Sequence, residues 1–196
     1  MAKIFYLMGK SSSGKDTIYK ELLQRMPELK TIVPYTTRPI RMGEQEGVEY
    51  HFVDEPRFQQ LMATGKVIEN REYHTFHGLW RYFTVDDGQF HMDSRDAYIM
   101  IGTLESYERM RQYFGRETVE AVLIELDDGI RLQRALDRER RQLSPRYEEM
   151  CRRFLADSED FSEDRIQAAA IENRFCNLHL AECLQEIIAF IKNCSE

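Results

Sequence analysis

The stretch that decides the fold is residues 4–15, which read IFYLMGKSSSGK near the start of the 196-residue chain. Its first five residues form a continuous apolar run, which is typical of a strand buried on both faces. The remaining seven begin with Gly9 and end with Gly14 and Lys15. The next residues, 15–26, place Ile18 and Leu22 on one side of a predicted helix. A strand, a glycine-bounded loop and a helix in this order predict a cradle of backbone N–H groups for phosphate oxygens.

Outside this stretch, strand and helix patterns alternate along most of the chain. We expect strands over residues 97–101 and 119–126, and helices over about 104–114, 130–141, 145–158 and from 180 to the C-terminal end. The alternation predicts an α/β fold, with a parallel sheet flanked by helices and ligands at the carboxyl ends of its strands.

The aromatic segment 34–90 breaks this rhythm and predicts an inserted, mostly antiparallel lobe. Within it we expect a half-exposed strand over residues 49–53 and several short strands between 67 and 85. A helix between them would begin after Asp54, which can cap it, and end at Gly65.

Composition excludes several function classes. The chain has 27 Lys and Arg against 34 Asp and Glu, a formal net charge of -7, which argues against general nucleic-acid binding. No apolar run approaches the roughly 20 residues that span a bilayer, so we expect no membrane partner. The four cysteines, Cys151, Cys176, Cys183 and Cys194, contain no CxxC pair. Reduced thiols in a cytoplasmic protein are the simplest interpretation.

The loop suits the phosphates of ATP. Gly9 and Gly14 permit a tight backbone path, and Lys15 can reach the β- and γ-phosphates. The position after this lysine, where such loops carry a Ser or Thr that holds Mg²⁺, is Asp16, whose carboxylate can also bind Mg²⁺. An ordinary serine-rich turn is the alternative interpretation. The predicted ATP contacts here are Gly9, Lys10, Ser11, Ser12, Ser13, Gly14, Lys15, Asp16 and Thr17, with Asp16 as the metal ligand.

A second motif, residues 36–52, reads TTRPIRMGEQEGVEYHF. Arg38 and Arg41, with the nearby Tyr50, suit a phosphate monoester because guanidinium groups bind its oxygens in pairs. The motif resembles the acceptor loop of the guanylate kinase family, TTRxxRxGExxGxxYxF, at every fixed position. More loosely, the resemblance covers nearly the whole chain. It implies a single domain with a P-loop core (residues 1–33, 91–130 and 159–196), an acceptor-binding lobe (34–90) and a helical lid (131–158).

The resemblance also implies an activity, the phosphorylation of GMP by MgATP. By this similarity Arg38, Arg41 and Tyr50 hold the GMP phosphate, and Glu69 accepts hydrogen bonds from the guanine edge. Residues 78–84 resemble the family's GxYYG(T/S) segment with one residue inserted, so that Tyr82 contacts the phosphate and Thr84 the base. Asn173 resembles the family residue near the adenine. A surface turn is the alternative for Asn173, an exposed strand end for Glu69 and a core strand for residues 78–84.

The third cluster is rich in arginine and occupies the two charged helices between residues 130 and 158. Mobile helices can deliver cations to a migrating phosphoryl group and exclude water from it. Solvated helices with Glu–Arg pairs are the alternative interpretation. The spacing of Arg141 and Arg152 is similar to that of the family's lid. We therefore predict catalytic contacts from Arg141 and Arg152, with Arg138, in addition to Lys15 and Arg41.

Three positions depart from the guanylate kinase pattern. They are Asp16, Pro34 in place of a serine that touches guanine, and residues 99–103 in place of an Asp-Ile-Asp strand end. Phe83 also replaces a glycine. Two alternative hypotheses therefore remain. One is a ribose bisphosphate phosphokinase or another small-molecule P-loop kinase, and the other is an inactive guanylate-kinase-like module that binds a protein. We expect a small-molecule partner, a nucleoside monophosphate, and a monomer or homodimer.

Overall fold

The computed structural model describes residues 1–75 and 78–195. The elements along this part of the chain are β1 (Lys3–Met8), α1 (Lys15–Arg25), β2 (Lys30–Thr31), β3 (Tyr35–Thr36), β4 (His51–Phe52), α2 (Glu55–Ala63), β5 (Val67–Thr75), β6 (Gly78–Val85), β7 (Ala97–Ile101), α3 (Leu104–Phe114), β8 (Val119–Glu125), α4 (Asp128–Arg140), α5 (Tyr147–Asp160), α6 (Glu163–Ala168), β9 (Arg174–Cys176) and α7 (Leu180–Ser195).

The main sheet has the strand order β2-β7-β1-β8-β9. Each neighbouring pair in it is parallel. The expected α/β fold with a parallel sheet flanked by helices is therefore confirmed. The chain order of the strands changes direction at β1, which lies between β7 and β8, and an open parallel sheet binds its ligands at such a point. The loop after β1 opens there.

Both faces of β1 are covered, which explains why its sequence is apolar without alternation. Ile4, Tyr6 and Met8 point to the side of α3 and α6, where they join one hydrophobic cluster. Phe5 and Leu7 point to the other side, into a cluster with α1 and α7. Each of these five side chains is fully buried. Two layers of helices thus hold the start of the phosphate loop rigidly.

The inserted lobe is a second sheet in the order β4-β3-β6-β5. It is antiparallel except for the pair β3 and β4, which is parallel. Where short pieces were expected, β5 and β6 form two long paired strands, and the expected strand over 49–53 shortens to β4. Phe83 is fully buried beside Phe58 of α2. Asp54 caps α2 by accepting a hydrogen bond from the Arg57 N–H, as predicted.

The helices between residues 128 and 168 lie beside the carboxyl end of β8. α4 begins earlier than predicted because the Asp127 side chain accepts hydrogen bonds from the N–H groups of Gly129 and Ile130. α6 and the short strands β2, β3 and β9 were not predicted, since two or three residues carry no periodicity. β9 matters for function, because its end lies against the phosphate loop. None of the described helices combines the length and apolar character needed to cross a bilayer.

Candidate active site

The phosphate loop, residues 9–15, needs glycine where other backbone or side chains approach it. A Cβ on Gly9 would lie 2.5 Å from the backbone oxygen of Ile124. Gly14 has a φ of 94° and is the N-cap of α1, and a Cβ there would lie 2.2 Å from Asn177 Nδ2. Ser12 also has a positive φ, 64°. Neighbouring residues in such conformations turn successive N–H groups toward one centre, which suits an anion.

Three hydrogen bonds hold the loop. The Ser13 N–H donates to the Lys10 carbonyl oxygen at 3.2 Å, and Asn177 Nδ2 donates to the Ser13 carbonyl oxygen at 2.7 Å. The Ser11 N–H donates to Asp157 Oδ2 at 2.8 Å. A carboxylate therefore occupies one of the loop donors that would otherwise face a phosphate oxygen.

Asp157 belongs to a cluster of charges between α4 and α5. Arg131 is fully buried, with Nη1 3.9 Å from Asp157 Oδ2 and Nε 3.2 Å from Asp128 Oδ1. Its guanidinium also lies 4.8 Å from the ring centroid of Phe154. Within the described residues, the three guanidinium nitrogens of Arg131 make no hydrogen bond of good geometry. Arg131 of α4 therefore attracts Asp157 of α5, which in turn accepts the hydrogen bond from the loop N–H of Ser11.

A cavity of about 380 Å³ opens on the other side of the loop. Two arginines of α4 line it, Arg134 and Arg138, four residues apart and hence on one face of the helix. Arg134 Nη2 lies 3.5 Å from the Asn177 carbonyl oxygen. The cavity is lined by Ser12, Gly14, Asp16, Thr17, Arg134, Arg138, Asn177 and Leu180. A polyphosphate beside the loop would thus meet two cations.

The structure brings some predicted residues to this cavity and leaves others away from it. Arg138, Asp16 and Thr17 line it, and Lys15 begins α1 beside it. Arg141 is exposed at the end of α4. Arg152 is also exposed and donates to Glu149 at 2.7 and 2.8 Å. Together with Arg153 it lowers the pKa of Glu149 to about 2.

The asparagine that touches the loop is Asn177, directly after β9, whereas the predicted Asn173 lies directly before that strand. Arg134 and Asn177 were both missed by the sequence analysis. The spacing of Arg134 and Arg138, and the position of Asn177 at the end of a strand, were the signals that could have found them.

In the acceptor loop, Arg38 is the central residue and is 3% exposed. Its two terminal nitrogens donate to the two carboxylate oxygens of Glu44, at 2.7 and 2.6 Å. The Arg41 N–H donates to the same carboxylate at 2.8 Å, while the Arg41 side chain is exposed. This pairing holds the pKa of Glu44 below its usual value. The loop thus presents a rigid guanidinium fork that is occupied by an internal anion.

Aromatic side chains surround this fork. The Arg38 guanidinium lies 5.0 Å from the ring centroid of Tyr50 and 5.4 Å from that of Phe52. Tyr50 in turn packs edge-on against Tyr82 at 5.6 Å between centroids. Burial raises the pKa of Tyr50, so its phenol stays protonated and can donate a hydrogen bond. A phosphate at this position would meet a cation and neutral hydroxyl donors.

Glu69 and Thr84 are register partners on β5 and β6, and Tyr82 points to the same side of β6 as Thr84. Thr84 Oγ1 donates to Glu69 Oε1 at 2.8 Å. Arg71 Nε donates to Glu69 Oε2 at 2.9 Å. Arg71 was not among the predicted residues, and its position two residues after Glu69 on the same strand face was the available signal. Glu69 and Thr84 therefore meet in space through a hydrogen bond, and Glu69 also forms a buried ion pair with Arg71.

The chain is similar to known proteins in sequence and in fold. Residues 1–79 match the family model described as guanylate kinase, and these residues contain both the phosphate loop and the acceptor loop. The match covers 79 of the 196 residues, so it shows a similarity to guanylate kinases over that part of the chain. The guanylate kinases of Thermobifida fusca and Nostoc sp. are each 45% identical to it over 71 residues, and that of Coxiella burnetii is 37% identical over 76 residues.

These alignments span little more than a third of each protein. The one with the Thermobifida guanylate kinase covers 36% of this chain and 36% of that one, and the one with the Coxiella guanylate kinase covers 39% and 37%. The likeness in fold is wider. A crystal structure of guanylate kinase from Anaplasma phagocytophilum superimposes with a TM-score of 0.71, covering 98% of this chain and 85% of that chain at 19% identity.

Residue 102, within the strand end that differs from the guanylate kinase pattern, lies against Tyr6. A Cβ on Gly102 would lie 2.1 Å from the Tyr6 hydroxyl oxygen. The Tyr6 hydroxyl is hydrogen-bonded with Ser106 Oγ at 2.5 Å, and burial raises its pKa. A neutral phenol from β1 therefore fills the space that a side chain at position 102 would need.

The structure provides fewer side chains for a metal ion than for phosphate oxygens. Asp16 is exposed at the start of α1. Over residues 1–75 and 78–195, no group of three or more His, Cys, Asp or Glu side chains is placed to hold a metal ion. Mg²⁺ bound together with a nucleotide needs no such cage, because this ion keeps several waters and is bound by one or two carboxylates with the substrate phosphates. The donor set present fits that mode, with Asp16 as the carboxylate.

Proposed function

We propose that the chain is an ATP-dependent nucleoside monophosphate kinase that phosphorylates GMP to GDP. The observation that carries the proposal is the content of residues 1–79. They match the guanylate kinase model and hold both a loop for the donor's phosphates and a guanidinium fork for the acceptor's phosphate. A cytoplasmic location and a monomeric or homodimeric state belong to the same proposal.

The protein's contribution to transfer is positioning and charge. Loop N–H groups and Lys15 hold the ATP phosphates, and Arg38 with Tyr50 holds the acceptor phosphate in line with them. Arg134 and Arg138, which line the donor cavity, neutralise charge that spreads over the transferring group. Arg41, Arg141 and Arg152 would join them only after the acceptor lobe (34–90) and the lid (131–158) close, which also excludes water.

When bound, Mg²⁺ would screen the charge of the ATP phosphates. Asp16 is the residue that would hold it. Thr17 lies beside it in the donor cavity and is a second oxygen donor at the same helix start. Asn177 would hold the loop on the side of the nucleoside.

A panel assay tests the proposed function. ADP release is measured with MgATP against GMP, dGMP, AMP, UMP, CMP, TMP and ribose 1,5-bisphosphate. We expect selective turnover with GMP. Turnover with ribose 1,5-bisphosphate alone would favour the phosphokinase reading. If no acceptor gives ADP release and titration calorimetry shows no ATP binding, the hypothesis of a non-enzymatic binding module would be favoured.

Replacing Glu69 with Gln is expected to raise KM for GMP by about tenfold or more and to leave KM for ATP near its wild-type value. The reason is that glutamine lacks the negative charge with which Glu69 holds Arg71 in a buried ion pair. We expect this pair to organise the base side of the acceptor site. Steady-state kinetics with each substrate varied in turn gives both constants. An unchanged KM for GMP in a folded variant would contradict the placement of the base.

Replacing Asp157 with Asn is expected to tighten ATP binding about fivefold, or roughly 1 kcal/mol, since the site is partly solvated and repulsion is screened. The carboxylate receives a loop N–H in the absence of ligand, so phosphate binding has to displace it. The amide keeps an acceptor oxygen but lacks the charge. Titration calorimetry with ATP gives the affinity, and the matched control is Asp160→Asn, at the last residue of the same helix. Weaker binding in Asp157→Asn would mean that the carboxylate supports the loop instead of competing with ATP.

A further inference from the structure

Arg71 is the charged residue near the acceptor site to which the proposed mechanism gives no role. It lies on β5, where the lobe meets the main sheet. Its Nε and Nη2 donate to the two oxygens of Glu69 at 2.9 and 3.4 Å, and its Nη1 donates to Thr103 Oγ1 at 3.3 Å. Thr103 caps α3 at the end of β7. The Arg71 guanidinium is therefore bonded to Glu69 of the lobe on one side and to Thr103 of the core on the other.

Of the two partners in this pair, the arginine is the more accessible. The Arg71 side chain is 12% exposed, whereas that of Glu69 is 1% exposed. Both Glu69 oxygens already accept hydrogen bonds, from Arg71 and from Thr84. In this arrangement the carboxylate is turned inward, and the guanidinium is the more exposed member of the pair.

Arg71 also lies close to the acceptor's phosphate subsite. Arg71 is the register partner of Tyr82 on β6. The Tyr82 ring lies 5.6 Å from that of Tyr50, and the Arg38 guanidinium lies 5.0 Å from the same Tyr50 ring. An acceptor whose phosphate lies on Arg38 would extend past Tyr50 toward Arg71 and the filled position at Gly102.

We propose that Arg71 is a specificity-determining residue that donates hydrogen bonds to the 6-oxo group of the acceptor purine, with Glu69 as its positioning residue. The inference rests on the proposed function. A guanidinium is a suitable partner for guanine, whose O6 and N7 are adjacent acceptors. Adenine presents an amino donor at the same place, so its amino group would face donors only.

The test compares GMP with 2-aminopurine riboside 5′-monophosphate, which has the same 2-amino group but neither the oxygen at C6 nor the proton at N1; the Arg71 variant isolates the contribution of the oxygen. We expect kcat/KM of the wild type to be at least about 100-fold higher for GMP, as is usual when buried donors are left unpaired. In Arg71→Lys this ratio is expected to fall below about ten, because an ammonium keeps the charge beside Glu69 but loses the planar fork. The control Arg25→Lys, at an exposed ion pair on α1, should keep the wild-type ratio.

The outcomes separate the inference from the proposed function. A wild-type ratio below about three, or an unchanged ratio in Arg71→Lys, overturns the role of Arg71 while leaving the kinase in place. Absence of turnover with either nucleotide overturns both. If Arg71→Lys does not fold, the double variant Glu69→Gln/Arg71→Gln removes both buried charges together and is expected to show the same fall in the ratio; a preserved ratio there also overturns the proposal.

Discussion

Replacing Lys15 with Met is expected to lower kcat by at least about a thousandfold while the protein stays folded. The lysine begins α1 directly after the cradle, and a cation at this position neutralises charge that develops on the transferring phosphoryl group. Methionine keeps the length of the side chain and its helix propensity. The kcat is measured by ADP release with saturating MgATP and GMP, and folding by circular dichroism and thermal unfolding.

The matched control for this variant is Lys20→Met, which removes an exposed lysine from the same helix. It should leave both kcat and the melting temperature close to those of the wild type. A Lys15→Met protein with kcat within tenfold of wild type would reject the assignment of residues 9–15 as a catalytic phosphate cradle.

Replacing Arg38 with Met is expected to lower kcat/KM for the acceptor by at least about 100-fold and to leave KM for ATP nearly unchanged. Bidentate guanidinium contacts to phosphate are among the strongest hydrogen bonds available to a protein. The loss should therefore fall on acceptor binding. The free energy of unfolding should also fall by about 1–3 kcal/mol, because the Glu44 carboxylate loses the guanidinium that pairs with it.

A double variant separates these two effects. In Arg38→Met/Glu44→Gln the unpaired charge is gone, so most of the lost free energy of unfolding should return, as measured by urea titration. Turnover of the acceptor should stay as low as in the single variant. Recovery of kcat/KM together with stability would show that Arg38 acts on the structure of the loop and not on the substrate.

The parts of this fold that could be predicted are those whose sequence pattern has one physical solution. Residues 4–8 are apolar at every position, and a strand covered on both faces is where such a run belongs. The glycines at 9 and 14 are required by the close approach of the Ile124 oxygen and the Asn177 amide, so their spacing identifies the loop. Asp54 and Gly65 bound α2 because capping chemistry is local.

The parts that could not be predicted depend on long-range contacts. Nothing local distinguishes Asn177 from Asn173, since the choice depends on which end of β9 meets a loop more than 160 residues away. The lid arginines pose the same problem. Arg134 lines the cavity beside the phosphate loop because α4 starts there, directly after β8. The spacing of Arg141 and Arg152 in the sequence does not determine which way their side chains point. Assignment of the lid residues as contacts stays a prediction.

The buried contact between Tyr6 and Gly102 couples two positions that are far apart in the sequence, one on β1 and one directly after β7. A Cβ at position 102 would lie 2.1 Å from the Tyr6 hydroxyl oxygen, so a side chain there would have to move the phenol out of its hydrogen bond with Ser106. Because residue 6 is three positions before the phosphate loop, such a movement would disturb the strand from which that loop starts.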